Sequence, residues 1–195
     1  MKHQRAKRPI TNKQSAPTPR ETKFLIGMFF RYLTLLFLGT SNLYIIYKIL
    51  TPLTIHTTTT ILSIFTTPTL VGNLIQTTKA TIEIAPACVA GSAFYLLLIL
   101  ILSSANIKPI TRTKTILTAL ILLFTLNVLR ILILIPLIRW PHFQTIHWTI
   151  WHFASTIFVV ATWLAVIKMF KIKSIPIYSD IKYLIKSTKK SKRKK

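Results

Sequence analysis

Four apolar stretches, 24–50, 85–104, 115–138 and 147–169, constrain this chain more than any other feature. Each reaches the ~20 residues that a helix needs to cross a hydrocarbon core. A backbone in lipid must satisfy its own hydrogen bonds, so continuous apolar runs of this length predict helices rather than loops or open sheets. A chain of 195 residues with a mean hydropathy of +0.53 is too apolar for a soluble core of its size. The expected fold class is therefore all-α: a polytopic helical membrane bundle with about four core spans.

The segment 52–82 differs. Thr57, Thr58, Thr59 and Thr60, then Thr66, Thr67, Thr77, Thr78 and Thr81, together with Pro52 and Pro68, make it weakly hydrophobic and β-branched throughout. It is expected to form an outer-facing interfacial or re-entrant segment, with a fifth span as the alternative.

Charge sets the orientation. Against 26 Lys and Arg the chain carries 3 acidic residues, for a net charge of +23. On a soluble protein that balance would point to nucleic acid. Here the positive residues sit in the tails and one short loop beside apolar spans, as in segments that face anionic lipid, so nucleic acid is set aside as a partner. Seven Lys/Arg lie in residues 1–23, three (Lys108, Arg112, Lys114) in the loop 105–114, and eleven from Lys168 onward. The other side holds Lys48, Lys79 and Arg139. The positive-inside rule then places both termini and the 105–114 loop in the cytoplasm, which requires an even number of crossings. Three parts follow: a basic cytoplasmic arm at 1–23, a membrane-embedded domain at 24–170, and a polybasic cytoplasmic tail at 171–195. The arm does not read as a signal peptide, because the apolar run after it is too long and lacks a small-residue cleavage site. Arg31, near the inner end of the first span, is expected to snorkel to the cytoplasmic surface.

Polar groups inside the spans are costly and mark candidate sites. Cys88 interrupts the second span, Arg130 the third and His152 the fourth. At 1.5 Å of rise per residue they lie about 6, 12 and 7 Å below the outer surface, in one shallow layer. Cys88 follows Pro86, which suits a first helical turn, where the positive end of the helix dipole favours a thiolate. As the only cysteine it can form no internal disulfide or CxxC pair. Arg130 is permanently charged, and Asn127 shares its face one turn earlier. Its expected partners are a thiolate, Glu83 at the outer edge, a substrate carbonyl or carboxylate, or water in a cavity. His152 has Ser155 and Thr156 on its face. His142 and His147 lie beside Trp140, Trp148 and Trp151 in an outer aromatic belt. Three neighbouring histidines raise the question of zinc, but no carboxylate or second cysteine completes a site, and no metal is expected.

The segment Asn127-Val128-Leu129-Arg130-Ile131, about forty residues after the pair Ala87-Cys88, resembles the Asn-x-x-Arg-Ile pattern of the exosortase/archaeosortase family of membrane transpeptidases. The resemblance covers roughly residues 80–160. It departs from the family after the cysteine, where Val89-Ala90-Gly91 stands in place of Ser or Thr then Gly, and at Phe153, where an acid is common. It implies Cys88 as nucleophile, Arg130 as the stabiliser of an oxyanion or thiolate, and His152 as proton shuttle. Asn127, Glu83 and Ser155 would bind substrate or support the site. It also implies secreted precursor proteins with C-terminal sorting signals as clients, with a membrane lipid head group as acceptor. No cofactor is expected, and anionic lipid is the expected partner of the basic tails. A non-enzymatic membrane insertase and a small transporter subunit are the alternatives from other classes.

Overall fold

The computed structural model describes residues 19–77, 81–104 and 107–172. Most of the basic arm, Lys79, and all but the first residues of the tail lie outside these. The chain is mostly helical. Helix α1 (Pro19–Gly39) opens on a proline, whose missing N–H costs nothing at that position. A 3₁₀ turn at Ser41–Leu43 follows, in which Asn42 (φ 54°) and Leu43 (φ 61°) are both left-handed. Helix α2 (Tyr44–Leu62) leaves this corner at 67° to α1. The expected straight span at 24–50 is thus broken at its middle. Asn tolerates the left-handed region, but a leucine there is an outlier held by its surroundings.

The Thr-rich segment divides in two. Its first part continues α2 through Pro52, because Thr54, Ile55, Thr58 and Leu62 bury one face at helical spacing. Its second part forms a three-stranded antiparallel meander, β1 (Thr69–Val71), β2 (Leu74–Gln76) and β3 (Thr81–Glu83), in the order β1-β2-β3. The expectation of a purely α fold is corrected by this sheet. Gly72, with φ +61°, supplies the left-handed residue of the β1–β2 turn.

Two short pieces replace the expected helix at 85–104. Helix α3 (Pro86–Val89) stops at Ala90, which is left-handed at φ 58°, and α4 (Gly91–Leu102) restarts at once. Gly91 is needed there: a Cβ would lie 2.7 Å from the Tyr47 ring. Helix α5 (Pro109–Leu137) is long and uninterrupted. Its buried stripe, Thr115, Ala119, Leu123, Asn127 and Ile131, advances four residues at a time along one face. Helix α6 (Phe143–Thr149) passes through one π-helical turn (Ile150–Ala154) into α7 (Ser155–Met169).

The main core lies where α2, α4, α5 and α7 meet, around Ile46, Phe94, Leu97, Leu123, Val159 and Val166. A second cluster, Ile55, Leu62, Ile75, Ile84, Val89 and Ile131, joins the sheet to α2, α3 and α5. Ile75 of the central strand is fully buried in it. Two helical stretches, Pro109–Leu137 and Phe143–Met169, are long and apolar enough to cross a membrane, and the bent α1–α2 pair passes the same test if it counts as one span. The α3–α4 stretch is shorter, about 25 Å at helical rise.

Candidate functional site

The break at Ala90 creates the site. In an unbroken helix the carbonyls of Ala87, Cys88 and Val89 would accept amides four residues on. Instead the Ala93 amide joins that of Phe94 on the Ala90 carbonyl, at 2.9 and 3.2 Å, and among the described residues no backbone amide reaches the three upstream carbonyls. An unpaired buried carbonyl costs about 1–3 kcal/mol, so donors must come from elsewhere. Helix α5 brings them. Asn127 Nδ2 donates to the carbonyl of Cys88 at 2.8 Å and to that of Val89 at 3.5 Å. Arg130 Nη2 donates to the carbonyls of Ala87 at 3.2 Å and Cys88 at 3.4 Å. Its other arm, Nη1, donates to Ser155 Oγ of α7 at 2.8 Å. One guanidinium, 6% exposed, therefore ties α3, α5 and α7 together. The Asn-x-x-Arg spacing matters because residues three apart lie on one helix face.

Beside this knot lies a cleft of about 410 Å³, lined by Tyr47, Pro86, Ala87, Ala90 and Ser92 on one side and by Trp151, His152, Ser155 and Thr156 on the other. The π turn shapes its second wall. Such turns insert one extra residue into a helix and recur at functional sites. His152 Nδ1 lies 2.9 Å from the carbonyl of Trp148, which can only accept, so Nδ1 carries the proton and the Nε2 of a neutral ring is left as acceptor. The Trp148 and Trp151 rings flank the imidazole at 4.3 and 4.4 Å.

The structure gathers the expected residues unequally. Arg130, Asn127 and Ser155 are directly bonded around α3, and His152 shares the cleft with Ser155. Cys88 is contacted through its carbonyl, while its side chain packs against the second apolar cluster and is not among the cleft-lining residues. Its position differs from the one expected: α3 is a four-residue piece, not the first turn of a long helix, and lends the thiol little dipole. Glu83 is exposed on β3 and makes no ion pair with Arg130 among the described residues. His147 stacks on Phe143 at 5.6 Å, and His142 precedes α6; neither lines the cleft. No group of three or more His, Cys, Asp or Glu is placed to hold a metal among the described residues. Arg31 is 8% exposed and donates to the carbonyls of Leu102 and Ser104, each at 3.1 Å, at the end of α4 beside the 105–114 loop.

Sequence reasoning missed Tyr47, which forms one wall of the cleft from α2. The signal was indirect: a glycine after an apolar run, at Gly91, marks a place where an aromatic ring can approach the backbone. No family model, curated protein or solved structure matches the chain.

Proposed function

We propose that the chain is a membrane cysteine transpeptidase of the exosortase/archaeosortase type. It would cleave C-terminal sorting signals of secreted precursors and pass the new carboxyl end to an acceptor such as a lipid head group. The observation that carries this reading is the Arg130 guanidinium. It is buried, and it joins the backbone at Cys88 to Ser155, which shares a cleft with His152. In this reading Cys88 turns about χ1 from the apolar cluster toward the cleft beside Ala87 and Ala90. Its thiol gives its proton to His152 Nε2, the resulting thiolate attacks the scissile carbonyl, and the C–N bond breaks to leave a thioester as the leaving amine takes that proton from Nε2. The acceptor amine or hydroxyl then gives its proton to the neutral Nε2 and attacks the thioester, and the sulfur leaves as a thiolate that the imidazolium reprotonates. Arg130 acts through the hydroxyl of Ser155 and through the carbonyls that fix α3, and the oxyanion forms on that side of the cleft.

The same reading places four crossings in the membrane, with α1–α2 and α3–α4 as the first two. Both termini are then cytoplasmic, and the sheet and cleft lie at the outer surface. Cysteines introduced singly at Lys108 and Thr145 in a Cys88→Ala background test this with an impermeant maleimide: Thr145 should label from outside and Lys108 should not.

A second reading has a specific observation behind it. Every hydrogen bond that Arg130 makes to α3 goes to a main-chain carbonyl, as a purely structural cap would do. A membrane insertase or transporter subunit would need no more than that. The readings part at one sulfur atom. Cys88→Ala and Cys88→Ser should leave client precursors uncleaved, still carrying their C-terminal apolar segment, while insertion proceeds normally. Maturation at the wild-type rate in Cys88→Ala would sink the transpeptidase reading.

A further inference from the structure

Strand β3 is an edge strand. Its register against β2, Leu74↔Glu83, Ile75↔Ile82 and Gln76↔Thr81, fixes which of its backbone groups are used. The Ile84 amide donates to the Asn73 carbonyl at 3.1 Å, so Ile84 and, two residues earlier, Ile82 turn their N–H and C=O toward β2. The N–H and C=O groups of Thr81 and Glu83 therefore point the other way, to the open edge. Both residues are exposed, and no described residue bonds to the edge-facing groups. Four such groups in a row form a template for another strand. Away from the hydrocarbon, which supplies neither donors nor acceptors, the template is satisfied by water, a head group or a partner strand.

The edge runs straight into the site. Three residues beyond Glu83 the chain reaches Pro86, then Ala87, both in the cleft wall, a distance of about 10 Å for extended chain. A strand laid along β3 is thus delivered to the cleft mouth. The chemistry of the occupant follows from Glu83, one of only 3 acidic residues in the chain. Like charges directly across a strand pair repel and opposite charges attract. A second copy paired symmetrically about Glu83 would oppose two carboxylates, whereas a peptide with a lysine or arginine there would be favoured.

We infer that the β3 edge, through the main chain of Thr81 and Glu83, binds an extended polypeptide segment with a basic residue opposite Glu83 and so presents it to the cleft. The inference rests on the reading of the cleft as a site that acts on polypeptide, and it is tested without turnover. Full-length Cys88→Ala protein in nanodiscs is titrated with a fluorescent seven-residue peptide of alternating valine and threonine with a central lysine. Two further versions carry N-methyl groups on alternate amides, one set in each phase. Only one phase faces the edge, so one version should bind about tenfold or more weakly and the other about as well as the parent. A central glutamate should weaken binding about threefold, and Glu83→Lys should reverse that preference. Equal binding of both methylated versions, no binding of any peptide, or an unchanged preference in Glu83→Lys overturns the inference. So does self-crosslinking of a Glu83→Cys, Cys88→Ala chain that takes up no peptide, since a second copy then holds the edge. Should the peptide bind as expected while wild-type protein forms no thioester with any client, the edge stands and the enzyme reading falls.

Discussion

Arg31 and Arg130 sit at opposite ends of the α3–α4 pair, and each spends its guanidinium on carbonyls that a helix end leaves without amides. Both are more than nine-tenths buried. The difference lies in what stands around them. Arg31 meets an ordinary helix end, and the Ser104 carbonyl it serves also accepts from Arg112 Nη2 at 2.7 Å. Arg130 meets a helix broken in mid-course, is shared with a hydroxyl on a third helix, and borders a cleft. A buried arginine on carbonyls is therefore no sign of chemistry by itself. What singles out Arg130 is that its cap holds the backbone of the chain's one cysteine.

The largest expected effect breaks this comparison in the folded state. Arg130→Met leaves the Ala87 carbonyl with no donor and cuts the link to Ser155, so it should cost about 3 kcal/mol or more in unfolding free energy. Arg31→Met, with Arg112 still on Ser104, should cost about half as much. Thermal unfolding in detergent, followed by tryptophan fluorescence, compares the two, and equal losses would erase the distinction. Next in size is a functional difference. Arg130→Lys keeps the charge and loses the planar fork of donors; under the proposed transpeptidase function it should lower client processing ~10²-fold, about 2.7 kcal/mol in barrier height, while the protein still accumulates. Arg31→Lys should change processing less than threefold. Near-normal processing by Arg130→Lys would make the two arginines equivalent. The smallest effect sharpens the division of labour between Asn127 and Arg130. Asn127→Leu removes the donor to Val89 but leaves Arg130 on Cys88, so a loss of about 1–2 kcal/mol is expected in the same unfolding measurement.

Where apolar pattern alone decides structure, the chain was legible. Helices α5 and α7 end within one residue of their expected limits, at Leu137 and Met169, but α5 begins at Pro109, six residues before the expected 115, and the helix expected from 147 begins as α6 at Phe143 and passes through the π turn before α7. Pattern failed where backbone conformation decides. The apolar run 24–50 passes over Gly39-Thr40-Ser41-Asn42, a cluster of poor helix formers whose corner is stabilised by tertiary packing, including Tyr95 Oη donating to the Leu35 carbonyl at 3.0 Å. The threonines of 54–60 lowered helix propensity, yet burial of Thr54, Ile55 and Thr58 overrode it. Nothing in Val89-Ala90-Gly91 announces a left-handed alanine, and no local signal marks the π turn. The site was legible to the same degree. Helical spacing and depth place Asn127, Arg130 and Ser155 together, but the packing of the thiol against the second apolar cluster, off the cleft lining, has no signal in that pattern.

The π turn at Ile150–Ala154 amounts to a helix that carries one residue more than its neighbours need. Each residue turns an α-helix by about 100°, so a chain lacking that residue would swing Trp148 and the start of α6 a quarter-turn around α7. Ser155 would keep its place on Arg130, and His152 and Trp151 would leave the cleft wall. Removing a single amino acid from this stretch is thus a way to separate the two halves of the site. The knot that holds α3 would survive, and the aromatic wall facing it would be turned away from the cleft.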